Sequence, residues 1–435
     1  SDVGSCSGGA VSTNGNAIVS NCTFTNNRFS GSTESFGAAV FANAAVVNGS
    51  TFLSNVGLSQ SDATGTITAE LSLLMDNCQF AGNRITSSTS GNSMGGAAAA
   101  TTLTIQGCSF TDNTVLSPLA GSAQGGALYA TTALITTSVF ASNVAIASST
   151  AQGGALFTTS NSQISDCVFT ACSVQGSGLG GNIADGGGAV YVQTGTAVVQ
   201  GCALIANTVT ARGVSDGNGG AMWLSAGQVS DCFFFGNTAL SAPGGGSYGG
   251  ALYVASLSYI QGCVFSQNSL SSSLSNGVSS GAAVYSATSL VVNNTAVISN
   301  YGNTTQGGQV YGALSVVSLL SLNNCELAGN VLTATGASSQ ALGGAAYSPG
   351  SISINSCVFF ANGAHVSGGG SSYGGAVCGI MSVNVTDAAF TANTVTGSNQ
   401  NSFAQAGALY GGTAQLIRSN FTLNTVSVNN QGQGG

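Results

Sequence analysis

Lysine is absent from this 435-residue chain; its basic side chains amount to four Arg, and His365 is the one histidine. Charged residues make up 4% of the sequence, against roughly 25% in an ordinary globular domain, and the formal net charge is −8. With no basic patch to neutralise phosphates, nucleic acid is excluded as a partner. General acid–base catalysis is left with few candidates. No apolar run approaches the length of a membrane-spanning helix, so no transmembrane segment is expected. Ser1-Asp2-Val3-Gly4 does not read as the basic start of a signal peptide, and the chain reads as a mature or excised piece. Prolines number three, and helical periodicity is missing, which excludes long helices. Disorder is excluded as well, because 43% of the residues are hydrophobic.

What the chain has in abundance is small residues, 65 of them Gly, arranged in repeats. A Phe-x-x-Asn step recurs at Phe24, Phe52, Phe80, Phe110, Phe140, Phe234, Phe265, Phe359, Phe390 and Phe421, with variants at Phe169, Leu204, Val297 and Leu327. A small-small-Ala-aliphatic step, such as Gly125-Gly126-Ala127-Leu128, precedes each of these. A third apolar column lies five residues before each Phe-type position, from Val19 to Leu416. Ser/Gly-rich loops of variable length absorb the differences in spacing.

A unit of about 30 residues cannot bury its apolar positions alone, whereas stacked copies can. Identical residues above one another at each turn define a parallel β-helix, with coils about 4.8 Å apart. The expected fold is therefore all-β: a single-stranded parallel β-helix of about fourteen coils of roughly 30 residues, one continuous domain over 1–435. The preference of parallel crossovers favours a right-handed coil.

The paired Gly-Gly-Ala-aliphatic and Phe-x-x-Asn repeats resemble those of the chlamydial polymorphic outer-membrane protein family, and similar repeats occur in large secreted proteins of algae and protists. That resemblance covers essentially the whole chain and implies a surface-acting right-handed β-helix. The translocating β-barrel of the bacterial family has no counterpart here.

Nine of twelve Cys occupy one repeat position, two residues before the Phe-type residue: Cys22, Cys78, Cys108, Cys167, Cys202, Cys232, Cys263, Cys325 and Cys357. Strand parity turns them inward. They are either a ladder of buried thiols behaving as small hydrophobes or vertical neighbours that oxidise, since a coil spacing of about 4.8 Å lies in the disulfide range. The candidate pairs are Cys78–Cys108, Cys167–Cys202, Cys232–Cys263 and Cys325–Cys357, with Cys6 near Cys22 as a fifth. Cys172 and Cys378 lie off this column. No C-x-x-C pair exists and His365 is alone, so no metal and no cofactor is expected.

N-glycosylation sequons stand at Asn21, Asn48, Asn293, Asn303, Asn384 and Asn420. Glycans would cover a surface almost without charge, and they favour a eukaryotic source. An aromatic column follows the Gly-Gly-Ala step at Tyr129, Phe157, Tyr191, Trp223, Tyr253 and Tyr285. Alternation turns it outward, where it either stiffens the sheet by stacking or offers a contact stripe to another subunit or to sugar rings. The recurrent Asn of Phe-x-x-Asn is expected to form an amide ladder at a bend.

Catalysis by a β-helix needs clustered carboxylates or a calcium site. Asp166 and Asp231 share a column two coils apart, Arg28 and Arg84 another, and both pairs read as solvated edge charges. No catalytic residues are expected, and the chain does not read as an enzyme. The expectation is an extracellular, glycosylated structural solenoid forming part of a surface filament, appendage or wall layer, its partners being further copies or other surface proteins. The alternative is a surface adhesin, and a polysaccharide-active enzyme comes third. Both ends fall at the same phase of the repeat, Gly434-Gly435 opening a further step. Either the chain continues as a longer solenoid or copies stack head to tail.

Overall fold

A computed structural model describes residues 5–177, 185–213, 215–242, 245–273, 277–399 and 401–428. Gly434-Gly435 lies outside them. Every regular element among the described residues is a β-strand, and the chain is a parallel β-solenoid of about fourteen coils of roughly 30 residues. It divides into two compact units, Ser1–Ser215 with Ala221–Ser225 and Asp216–Gly220 with Ala226–Gly435.

In the first unit one coil shows how the sequence makes the fold. Its strands run Ala123–Gln124, Leu128–Thr136, Val139–Ala141 and Val144–Ala147, on four faces called A to D. One left-handed residue makes each of three corners: Gly125 (φ 66°) between A and B, Thr137 (φ 48°) between B and C, and Ser142 (φ 53°) between C and D. At the A/B corner this explains the first Gly of each Gly-Gly step, since glycine alone enters that region without steric cost. Between corners, alternation decides the core. Leu128, Ala130, Ala133 and Ile135 on face B, Phe140 on C, and Ala145 and Ala147 on D all point inward and are buried.

The repeat columns are the register. Val11, Val40, Ile67, Ala98, Leu128, Leu156 and Val190 pair in succession on face B. On face C, Phe24, Phe52, Phe80, Phe110, Phe140, Phe169 and Leu204 do the same. The Phe rings stack with centroids 4.6 Å apart for Phe52–Phe80 and 4.8 Å for Phe110–Phe140. Burying one Phe contributes about 2–3 kcal/mol, and stacking adds roughly 0.5–1.5 kcal/mol.

The second unit repeats the scheme. Leu252, Val284, Leu314, Ala346, Val377 and Leu409 align on face B. Phe234, Phe265, Val297, Leu327, Phe359, Phe390 and Phe421 align on face C. A one-residue slip would move every core side chain to solvent, so matching columns lock the register.

Candidate functional site

The C/D corner is an amide ladder in both units. Asn113 is fully buried, and its Oδ1 accepts from the Asn83 backbone N–H (3.2 Å) and Nδ2 (2.9 Å). Its own Nδ2 donates to Phe80 O (3.0 Å) and to Asn143 Oδ1 (3.0 Å). In the second unit Asn268, Asn300, Asn330 and Asn362 repeat this. Each amide satisfies a backbone N–H that the left-handed corner would otherwise strand. Cys172, off the cysteine column, proves to be a rung of this ladder. Its backbone N–H donates to Asn207 Oδ1 (3.0 Å), but Asn143 Nδ2 must turn to its sulfur at 3.9 Å. Burial pushes the Cys172 thiol up to about 12.

The B/C corner holds the cysteine column, and here the side chain is a hydrogen-bond acceptor. Cys78 N–H donates to Cys108 Sγ (3.3 Å), Cys232 N–H to Cys263 Sγ (3.5 Å) and Cys325 N–H to Cys357 Sγ (3.4 Å). Where cysteine is missing, Ser or Thr takes over: Cys22 N–H donates to Ser50 Oγ (3.1 Å), Cys108 N–H to Ser138 Oγ (3.1 Å) and Cys263 N–H to Thr295 Oγ1 (3.3 Å). All twelve cysteines are free thiols in the structure. Cys6 and Cys22 are not brought together. Cys6 lies on face A against the cluster containing Phe29 and Ala38, while Cys22 sits exposed at the B/C corner.

The aromatic column points outward as expected, yet it is not an open stripe. Phe157 is 1% and Tyr191 7% exposed, and Tyr129, Trp223, Tyr253 and Tyr285 are half-buried. The reason is the A/B corner, which bends so that outward side chains of A and B converge. Phe36 and Phe41 meet across it at 5.9 Å, and Ser280 Oγ donates to Ser315 Oγ at 2.7 Å. In the first unit the rings stack face to face, Tyr129–Phe157 at 5.4 Å, Phe157–Tyr191 at 5.4 Å and Tyr191–Trp223 at 4.4 Å. Stacked rings offer their edges to solvent, whereas sugar recognition uses ring faces, so this run serves the sheet itself. In the second unit Tyr248 and Tyr285 are tilted by 58° and Tyr253 and Tyr285 by 33°. There Tyr248, Tyr285, Tyr311 and Tyr347 wall a cleft of about 250 Å³. Burial raises the phenol pKa of Tyr285 and pushes that of Tyr311 up to about 12.

The acids have conformational reasons for their places. Asp166 (φ 54°), Asp231 (φ 55°) and Asp387 (φ 54°) are the left-handed residues of the B/C corner, where Asn, Asp and Gly recur because they tolerate that conformation. Asp387 was legible as a member of that column, lying three residues before Phe390, and its carboxylate is held below the usual range by Arg418 at 2.7 Å. Arg28 and Arg84 lie outward on face D, each paired in register with Val56. His365 bonds Thr396 Oγ1 through Nδ1 (2.8 Å), and burial lowers its pKa.

Asp185 is different. It occupies the small-residue column of face A next to Ala151 and is fully buried. Its Oδ1 accepts from Ala151 N–H (2.8 Å), while Oδ2 has no partner among the described residues. Gly176 makes room, since a Cβ there would fall on the carboxylate. Burial pushes the carboxyl up to about 7. Among the described residues no group of three or more His, Cys, Asp or Glu could hold a metal ion.

The sequons differ in access. Asn21, Asn384 and Asn420 are exposed, while Asn48, Asn293 and Asn303 are half-buried, and Asn293 Oδ1 accepts from Asn323 Nδ2 at 2.9 Å. Sequence reasoning missed a further column, outward on face B: Ile18, Val46 and Leu74, then Leu134 and Val198 with Thr104 and Gln163 interposed, Ile18 being 80% exposed. Its signal was present, one residue before the inward column that ends face B. Two clefts of about 380 and 560 Å³ lie along this face, and no side chain lining them is titratable. Compared with protein-family models, with curated proteins and with solved structures, the chain gives no match.

Proposed function

We propose that this chain is an extracellular structural solenoid, glycosylated at exposed sequons, that packs against further copies within a surface filament or layer. The exposed apolar column on face B of the first unit carries the reading. In a chain with 4% charged residues, a flat β-face bearing Ile18, Leu74, Leu134 and Val198 calls for a partner. The ladders at the corners support it, because their polar groups are consumed by neighbouring coils rather than aimed at a ligand.

Leu74 and Leu134 are 42% and 43% exposed, so replacing both with Lys leaves the core intact. The native sequence is expected to scatter light as an assembly at micromolar concentration, and the double variant to remain monomeric with unchanged circular dichroism. A monomeric native chain, together with native material that images without filaments or layers, sinks the proposal. Peptide mapping of that material is expected to find glycans on Asn21, Asn384 or Asn420; six bare sequons contradict the glycoprotein part.

The Tyr-walled cleft of the second unit favours a second reading, an adhesin that holds a glycan there. Soluble monomer binding to glycans, abolished by Tyr285→Ala, separates it from the first.

A further inference from the structure

The cysteine column contains more order than hydrogen bonding requires. Any side-chain acceptor suffices at the B/C corner, as Ser50, Ser138 and Thr295 show. Nevertheless the cysteines cluster. After the isolated Cys22, they occupy consecutive coils in runs of two (Cys78, Cys108), four (Cys167, Cys202, Cys232, Cys263) and two (Cys325, Cys357). Every such run is even in length, so pairing along it leaves no thiol over.

We infer that this column is a set of four inter-coil disulfide sites, Cys78–Cys108, Cys167–Cys202, Cys232–Cys263 and Cys325–Cys357. Within each pair the two residues hold the same position in successive coils and are 1–3% exposed, and in three of the pairs the backbone N–H of one donates to the Sγ of the other. In-register neighbours about 4.8 Å apart lie within the Cα range that a disulfide spans. The same contact prepares the chemistry. The Cys108 thiol holds Cys78 down at about 7, and Cys232 and Cys357 likewise lower Cys263 and Cys325. One sulfur of each of these pairs is thereby favoured as the attacking thiolate. A small-molecule disulfide such as oxidised glutathione completes the balance. The thiolate attacks one glutathione sulfur and expels a glutathione thiolate. The partner thiol, losing its proton, then attacks the mixed disulfide and expels the second. Two protein thiols are oxidised and one glutathione disulfide is reduced.

The test is refolding of the reduced full chain in a glutathione redox buffer, followed by alkylation, intact mass and peptide mapping. Before alkylation the folded product is expected to be lighter by roughly eight mass units than the all-thiol chain, and after alkylation mapping is expected to find the four named linkages, with Cys6, Cys22, Cys172 and Cys378 alkylated. Cys108→Ser places in the column the residue already found at Ser50 and Ser138, so the coil is preserved. It is expected to lose one bridge, leave Cys78 alkylatable and keep the other three. Each pair stands or falls on its own linked peptide. Twelve alkylated cysteines in the refolded chain, or linkages that join other positions, overturn the inference.

Discussion

Asn113→Ala is expected to lower the stability of its unit by about 3–5 kcal/mol, and Cys172→Asn to raise it by about 1 kcal/mol. The first substitution removes the acceptor of the buried Asn83 N–H and the donor to Phe80 O, and breaks the bond to Asn143. Unsatisfied buried groups cost roughly 1–3 kcal/mol each, which far exceeds what a lost surface hydrogen bond costs. The second substitution repairs a flaw. At Cys172 the ladder offers Asn143 a sulfur at 3.9 Å, a weak acceptor, where neighbouring rungs offer an amide oxygen at about 3 Å. Asn fits because it fills the same corner in the coils on either side, at Asn143 and Asn207. Urea midpoints and hydrogen exchange of the amides of Asn83 and Asn143 measure both effects. Equal midpoints for Asn113→Ala and the parent would show that the ladder is ornamental.

The stability contributed by Asp185 is expected to fall by about 4 kcal/mol as pH rises from below 4 to above 7, and Asp185→Asn to remove that pH dependence. The folded-state pKa of Asp185 lies near 7, above the ordinary 3.8. The folded protein therefore keeps a proton that the unfolded chain releases in this window. The contribution is fully present below about pH 4 and gone once pH passes the folded value. Asn preserves the acceptor for Ala151 N–H and carries no charge into the space that Gly176 leaves open. His365, whose pKa is lowered by burial, acts in the opposite sense: its contribution is lost as pH falls. The difference between parent and Asp185→Asn, followed by urea denaturation at a series of pH values, isolates the carboxyl. A difference that does not change with pH would mean that Asp185 is ionised in the folded state.

The columns read from the sequence are the register of the structure, from Val11 to Val190 and Leu252 to Leu409 on face B. They were legible because a parallel solenoid repeats one chemical demand at one position in every coil. The inward alternation, the amide ladder and the vertical thiol pairs follow from that same translation.

Only the tertiary structure decided what lies across a corner, because the bend brings together residues that share no column. Parity correctly turned Phe157 outward, but the convergence of faces A and B at the Gly-Gly corner buried it between Tyr129 and Tyr191. Cys6 and Cys22 are near in sequence and apart in space because a whole face intervenes. Asp166 and Asp231 are exposed at the B/C corner, as edge charges should be, but the left-handed φ that they hold there is a matter for the structure. Asp185 and Gly176 form a complementary pair nine residues apart, invisible until faces D and A are folded against each other. Periodicity fixes what stacks along the solenoid axis, whereas the angles of the corners fix what meets around it.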